Sequence, residues 1–203
     1  MKQLLITLCT LFLGFSSPAI AQVAPGSAQD ICPIKIGSDI PDATLKMQDG
    51  SQVNLKEWAS GSPSILVFYR GGWCPYCNMQ LIELEDIKED LNALGYKLAA
   101  ISPDAFDKIE GTVTKNKVGY DVFSDAENVF AQDLGIAFER KRRKKKKENF
   151  QVDVNVGQKK SLLPVPSIFF LDGDGKVVMH YINPDYKTRL PSSQLLKMAE
   201  ILK

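Results

Sequence analysis

Ile65-Leu66-Val67-Phe68-Tyr69-Arg70-Gly71-Gly72-Trp73-Cys74-Pro75-Tyr76-Cys77 reads as a strand, a turn and a helix start in direct succession. The apolar run before Arg70 is short and unbroken, as a buried strand requires. Gly71 and Gly72 turn the chain. Pro75 can open a helix at its first position, where the N–H it lacks would have no partner. Cys74 then stands at the N-cap, beside unpaired amides and the positive end of the helix dipole. That placement lowers a thiol pKa and enriches the thiolate. Cys77 follows one turn later, within reach of a disulfide. A Cys-x-x-Cys pair at such a junction reads as a redox site.

Downstream, Leu81, Leu84, Ile87, Leu91 and Leu94 recur at steps of three and four, which predicts one helix with a single apolar face. Gly95 ends it. Lys97 to Ile101 predicts a second buried strand, and Ser102-Pro103-Asp104 a helix start, followed by a polar helix to about Lys117. A short strand near Tyr120 to Phe123 comes next. Ser124 or Asp125 then caps a helix running to Leu134, closed by Gly135. Ser167 to Leu171 and Lys176 to Ile182 form a hairpin about Asp172-Gly173-Asp174-Gly175, and an amphipathic helix spans Ser192 to Leu202. Upstream, Ile36 to Leu55 reads as short strands joined by a turn. Strand–helix units followed by a hairpin and a helix give an α/β domain, a mixed sheet covered on both faces. The Cys pair falls at the C-terminal end of its first core strand, where such sheets usually carry their sites.

The N-terminus has a different character. Lys2, the apolar stretch from Leu4 to Phe15 and Ala19-Ile20-Ala21 have the pattern of a secretory signal peptide, residues 1–21, with an A-x-A cleavage site. The apolar stretch is too short to span a bilayer. Cleavage there removes Cys9 and predicts an exported, periplasmic protein. Residues 22–33 read as a polar linker and 34–203 as one domain. Cys32, Cys74 and Cys77 remain, one close pair and one odd thiol, which suits a working dithiol better than a disulfide framework.

Lys and Arg total 25 against 24 Asp and Glu, yet eight of the cations form an unbroken run from Arg140 to Lys147. Without these eight, the remainder is acidic by seven. The run lies in a basic insertion at 139–160. It reads as a solvated loop or as a patch attracted to an anionic envelope surface. Nucleic acid as a partner conflicts with the export signal.

The segment Phe68 to Cys77 resembles the redox segment of peroxiredoxin-like proteins of the alkyl hydroperoxide reductase/thiol-specific antioxidant (AhpC/TSA) family, within the thioredoxin superfamily. Gly37-Ser38-Asp39-Ile40-Pro41-Asp42, Ile101-Ser102-Pro103-Asp104, Ser124-Asp125, Leu163-Pro164-Val165-Pro166 and Asn183-Pro184-Asp185-Tyr186 extend the resemblance over residues 34–203. It implies a thioredoxin-like fold with an N-terminal strand extension and thiol-based peroxide or disulfide chemistry. It also implies an external thioredoxin-type reductant and no cofactor. Cys74 is then the attacking thiol and Cys77 the resolving one, with Arg70, Trp73 and Pro75 around them. Val165-Pro166 resembles the cis-proline segment that faces the Cys pair in thioredoxins, and by analogy the residue-165 backbone pairs with an extended substrate. Typical peroxiredoxins carry Pro and Thr seven and three residues before the attacking Cys, where this chain has Val67 and Gly71. No arginine closely precedes the Ile168 strand to serve the site; Arg70 reads either as a substitute or as an exposed loop arginine. The buried acid of thioredoxins is missing too. Peroxidase action and exchange with protein disulfides both stay open.

Other readings are weaker. A disulfide this local removes little chain entropy, so a purely structural pair is disfavoured. One Cys-x-x-Cys supplies two of the four ligands of a structural zinc site, and no metal is expected. His180 reads as a surface or half-buried strand residue, and Asp172 to Gly175 as a hairpin turn. Cys32 is a second resolving thiol, an intermolecular link or idle. A redox-inert envelope binding module is the reading from another class.

Overall fold

The computed structural model describes residues 23–140 and 161–203. The segment read as a signal peptide and all but the first residue of the basic run lie outside them. The central strand is β3 (Ser64–Phe68), every residue of which is buried. It pairs in parallel with β4 (Lys97–Ser102), and β4 in parallel with β5 (Asp121–Ser124). On its other side β3 pairs antiparallel with β8 (Ser167–Leu171), and β8 with β9 (Val177–Ile182). The N-terminal extension β1 (Thr44–Lys46) and β2 (Gln52–Asn54) completes a mixed sheet of order β2-β1-β5-β4-β3-β8-β9.

Alternation along the strands sorts the core into two faces. Leu66, Phe68, Ala99, Ile101, Phe123, Phe169 and Leu171 point to one face. There they pack on α1 (Leu55–Ala59) and α5 (Val129–Asp133) through Leu55, Ala59, Phe130 and Ala131. Ile65, Val67, Leu98, Ile168 and Phe170 point to the other. They meet α2 (Pro75–Asp86), α3 (Lys88–Ala93) and α6 (Ser192–Leu202) through Leu84, Leu91, Leu195 and Ala199. Beside that second layer α4 (Phe106–Asn116) packs against α2, where Ile109 joins Leu81, Tyr69, Cys74 and Cys77.

Four local expectations need correction. The helix after the Cys pair is two helices, broken at Ile87 (φ −108°, ψ 4°). The kink keeps Leu84, Ile87 and Leu91 in one buried cluster, so the apolar period runs through it undisturbed. The 22–33 segment, read as a polar linker, is docked at Ala24 and Pro25, while Val23 stays exposed. Glu139 N–H donates to Pro25 O at 2.7 Å, Ile34 N–H to Leu134 O at 3.1 Å, and Ala24 and Ile34 pack on the core. The basic insertion begins and ends in a small ladder of β6 (Ala137–Glu139) with β7 (Leu162–Pro164), which the sequence reading lacked. Finally, no peptide bond among the described residues is cis, so Val165–Pro166 is trans. The Val165 N–H donates to Ile136 O at 2.9 Å, and its carbonyl accepts the Ser167 hydroxyl at 2.8 Å. That backbone is committed internally, and it has no free edge for a peptide.

Candidate active site

The chain leaves β3 through the buried Tyr69, then Arg70 and the two glycines. Gly71 has φ +130°, and a Cβ there would fall 2.5 Å from Trp73 Nε1 and 2.7 Å from Asp104 Oδ1. A Cβ on Gly72 would overlap the Thr112 hydroxyl of α4. The turn therefore needs glycine for space at both positions and for conformation at Gly71. Asp104 accepts the Gly72 N–H at 2.7 Å. From α2, Asn78 Nδ2 donates to Gly72 O at 2.9 Å, and Asn116 Nδ2 of α4 donates to Asn78 Oδ1 at 3.0 Å. Both backbone groups of Gly72 are thus satisfied, which fixes where the next residue starts the helix. Asp104, expected to begin a helix, instead ties down this loop, and α4 starts after Ala105 without a side-chain cap.

Cys74 is the N-cap of α2 and Pro75 its first residue, as the sequence predicts. The Cys74 carbonyl accepts Cys77 N–H at 3.0 Å and Asn78 N–H at 3.1 Å. Both thiols are free, and both are buried, Cys74 at 1% and Cys77 at 0% exposure. No capping hydrogen bond is made through the Cys74 sulfur. Its pKa nevertheless falls to about 6, chiefly because the Cys77 thiol stabilises the thiolate. Burial opposes the shift; the Cys77 amide, acting as a dipole, and the Arg70 and Arg189 charges add to it. At pH 7 a thiol of that pKa is about nine-tenths ionised. The Cys77 thiol is pushed up by its hydrogen bond to the Cys74 sulfur and by burial, and pulled back by Arg189. The two sulfurs are therefore unequal. One is a thiolate and the other keeps its proton.

Aromatic rings and cations surround the pair. The Arg70 guanidinium lies 4.0 Å from the Tyr186 ring centroid and 5.1 Å from that of Trp73. Tyr186 packs edge-on against Tyr76 at 5.9 Å. Arg140, the first residue of the basic run, lies 5.7 Å from the Trp73 ring. Among the described residues, Arg70 Nε, Trp73 Nε1 and Arg189 Nε are buried donors without a protein acceptor. Such donors suit an oxygen-rich ligand. Trp73, Pro75 and Arg70 thus lie where expected, while Val165 and Pro166 are engaged with the β6–β8 framework. Arg189, Gln80, Tyr186, Asp104, Asn78 and Asn116 were missed as site residues. Only Tyr186 and Asp104 lay in segments with a visible signal, and that signal gave neither a role at the site.

The remaining candidates fall elsewhere. Cys32 is exposed and free. His180 stacks on Phe169 at 5.7 Å within the sheet. Asp172 caps the β8–β9 turn by accepting from Asp174 N–H and Lys176 N–H. Among the described residues no cluster of His, Cys, Asp and Glu could hold a metal ion.

A dithiol at the start of a helix, following the central strand of a mixed sheet, defines a thiol-redox protein of thioredoxin-like architecture. The chain belongs to the AhpC/TSA family, whose profile matches residues 36–180. It is 26% identical over 156 residues to peroxiredoxin Bcp of Escherichia coli K12, spanning 77% of this chain and 89% of that protein. It is 30% identical over 109 residues to a putative peroxiredoxin bcp of Haemophilus influenzae, spanning 54% of this chain and 70% of that one. In structure it resembles peroxidoxin BcpB of Mycobacterium tuberculosis (TM-score 0.65, 20% identity), over 84% of this chain and 99% of that one.

Proposed function

We propose that the protein is a thiol-dependent peroxidase of the peroxiredoxin kind, with Cys74 as the attacking thiolate and Cys77 as the resolving thiol. The observation that carries this is the placement of the pair: Cys74 is the N-cap of α2 with Cys77 one turn on, where the Cys77 thiol and the Arg70 charge favour the Cys74 thiolate. The Cys74 thiolate attacks the terminal oxygen of a hydroperoxide, which keeps its hydrogen; the O–O bond breaks, and the departing alkoxide or hydroxide takes a proton from water. Cys74 becomes a sulfenic acid. Arg70, held between Trp73 and Tyr186, supplies positive charge beside the developing anion. Cys77 then condenses with the sulfenic acid to a disulfide, releasing water. An external dithiol of thioredoxin type returns the pair to the reduced state by exchange.

A hydroperoxide is small enough to reach Cys74, a residue only 1% exposed. The Val165 backbone, which a peptide substrate would need, is internally bonded. Tyr76 and Met79, exposed on α2 beside the pair, offer apolar surface to the reducing partner. The leader pattern in residues 1–21 assigns this chemistry to an exported protein.

One equivalent of hydrogen peroxide added to the reduced Cys32→Ser protein tests the assignment. Intact mass should show loss of two hydrogens, and peptide mapping should join Cys74 to Cys77. A product in which Cys74 remains a free thiol would reject it.

A further inference from the structure

Cys77 has a second polar neighbour besides Cys74. Arg189, from the segment between β9 and α6, donates through Nη2 to Cys77 Sγ at 3.3 Å and through Nη1 to Gln80 Oε1 at 3.2 Å. Gln80 is buried three residues beyond Cys77 on α2, so the guanidinium spans successive positions of one helix face. Among the described residues Arg189 forms no ion pair with a carboxylate. Its hydrogen bonds go to the sulfur and the amide, while its charge also reaches Cys74 and Asp185.

The groups acting on Cys77 are few. Cys74 faces it from the helix start, Tyr69 from the end of β3, the Arg70 amide from the turn and Arg189 from the far segment. Burial holds the Tyr69 phenol in its protonated form. In the reduced protein the Cys74 thiolate keeps the proton on Cys77 and Arg189 is overruled. When Cys74 becomes a sulfenic acid or a mixed disulfide, that negative charge disappears. Among the described residues the Arg189 guanidinium is then the one cation in contact with the sulfur.

We propose that Arg189, held by Gln80, is the catalytic residue of the resolving half-reaction, stabilising the Cys77 thiolate once Cys74 has lost its charge. The proposal rests on Cys74 attacking first and deepens that reading. In the peroxide case Cys77 gives up its proton and its sulfur attacks the Cys74 sulfur. The S–S bond forms, the S–O bond breaks, and hydroxide takes the proton as water. The peroxide already consumed is the only oxidant.

A mixed disulfide separates this step from peroxide chemistry. Reduced Cys32→Ser protein mixed with dithiobis-nitrobenzoate should release nitrothiobenzoate in two phases. The first is Cys74 attacking the reagent, and the second is Cys77 attacking the Cys74 mixed disulfide. An opposite charge at this range typically moves a pKa by about one to three units. In Arg189→Met the second phase should therefore slow about tenfold or more at pH 7, with its pH midpoint raised by about one unit or more. The first phase, still served by Cys77 and Arg70, should fall no more than about threefold. Arg189→Lys should recover part of the second phase, and Gln80→Leu should lose part of it. Equal slowing of both phases, or a second phase whose pH midpoint matches wild type, would overturn the assignment. A second phase slowed selectively in Arg189→Met, in a protein whose wild type is inert to peroxide, would support Arg189 while rejecting the peroxidase reading.

Discussion

Replacing Cys77 by alanine removes the group that most stabilises the Cys74 thiolate, and the loss is readable as a pH shift. Cys74 titrates at about 6 against an ordinary 9.0, with the Cys77 thiol as the largest cause. The helix amides, Arg70 and Arg189 remain in the variant. A hydrogen bond to a charged group contributes about 1.5–3 kcal/mol, which corresponds to a shift of about one to two pKa units. The midpoint should therefore rise to between about 7 and about 8, and the ionised fraction at pH 7 should fall from about nine-tenths to between about one-half and one-tenth. Alkylation by iodoacetamide as a function of pH, in a Cys32→Ser background, measures the midpoint directly. Cys77→Ser keeps a hydroxyl donor in place and should shift less than Cys77→Ala. A wild-type midpoint near that of a free thiol, or an alanine variant that titrates with wild type, would refute the reasoning.

Three further outcomes test the supporting structure. Gly72→Ala drives a methyl into Thr112 and should cost about 1–3 kcal/mol in urea unfolding. Thr112→Ala should recover part of that cost, and strictly additive losses would contradict the close contact. Asp104→Ala leaves the Gly72 N–H without its acceptor and should cost about 1–3 kcal/mol, whereas Asp104→Asn keeps an oxygen there and should cost less by the same assay. The sign of the pH dependence follows from Cys74. Its folded pKa lies below the unfolded value, so its contribution is present in full above about 9 and is lost as pH falls through about 6. The Tm advantage of the reduced wild type over Cys74→Ser should thus grow from about pH 5.5 to about pH 8, and an advantage that shrinks over that range would contradict the assignment. Asp125 acts in the opposite sense: burial raises it to about 7, so its contribution is present below 3.8 and lost as pH rises through about 7. The subtraction cancels it.

Much of this architecture is local and could be read from the chain. The run from Ile65 to Tyr69, the glycines, Pro75 and the Cys spacing place the dithiol without reference to distant residues. The Ser192–Leu202 helix matches its predicted bounds because its apolar period and flanking Pro191 are both local signals. What was hidden depends on topology. Arg189 reaches Cys77 across 112 residues, and Asp104 reaches Gly72 across 32, contacts that no window of sequence contains. The Ile87 break left no trace because the buried spacing of Leu84, Ile87 and Leu91 survives it. The β6–β7 ladder is three residues a side and interrupted by the basic insertion, so neither strand carries a pattern of its own. The proline at 166 misled because an X–Pro bond is set by its surroundings. Here the Ile136 carbonyl and Ser167 hydroxyl anchor Val165 on the framework side.

The central claim is that Cys74 is the atom that meets a hydroperoxide. Stopped-flow mixing of reduced protein with hydrogen peroxide at neutral pH, followed by Trp73 fluorescence and by peroxide remaining, tests it most directly. Consumption of one equivalent should run far faster than by a free thiol, be abolished in Cys74→Ser, and end in a sulfenic acid rather than a disulfide in Cys77→Ser. A wild-type rate no greater than that of a free thiol, or undiminished consumption by Cys74→Ser, would contradict it.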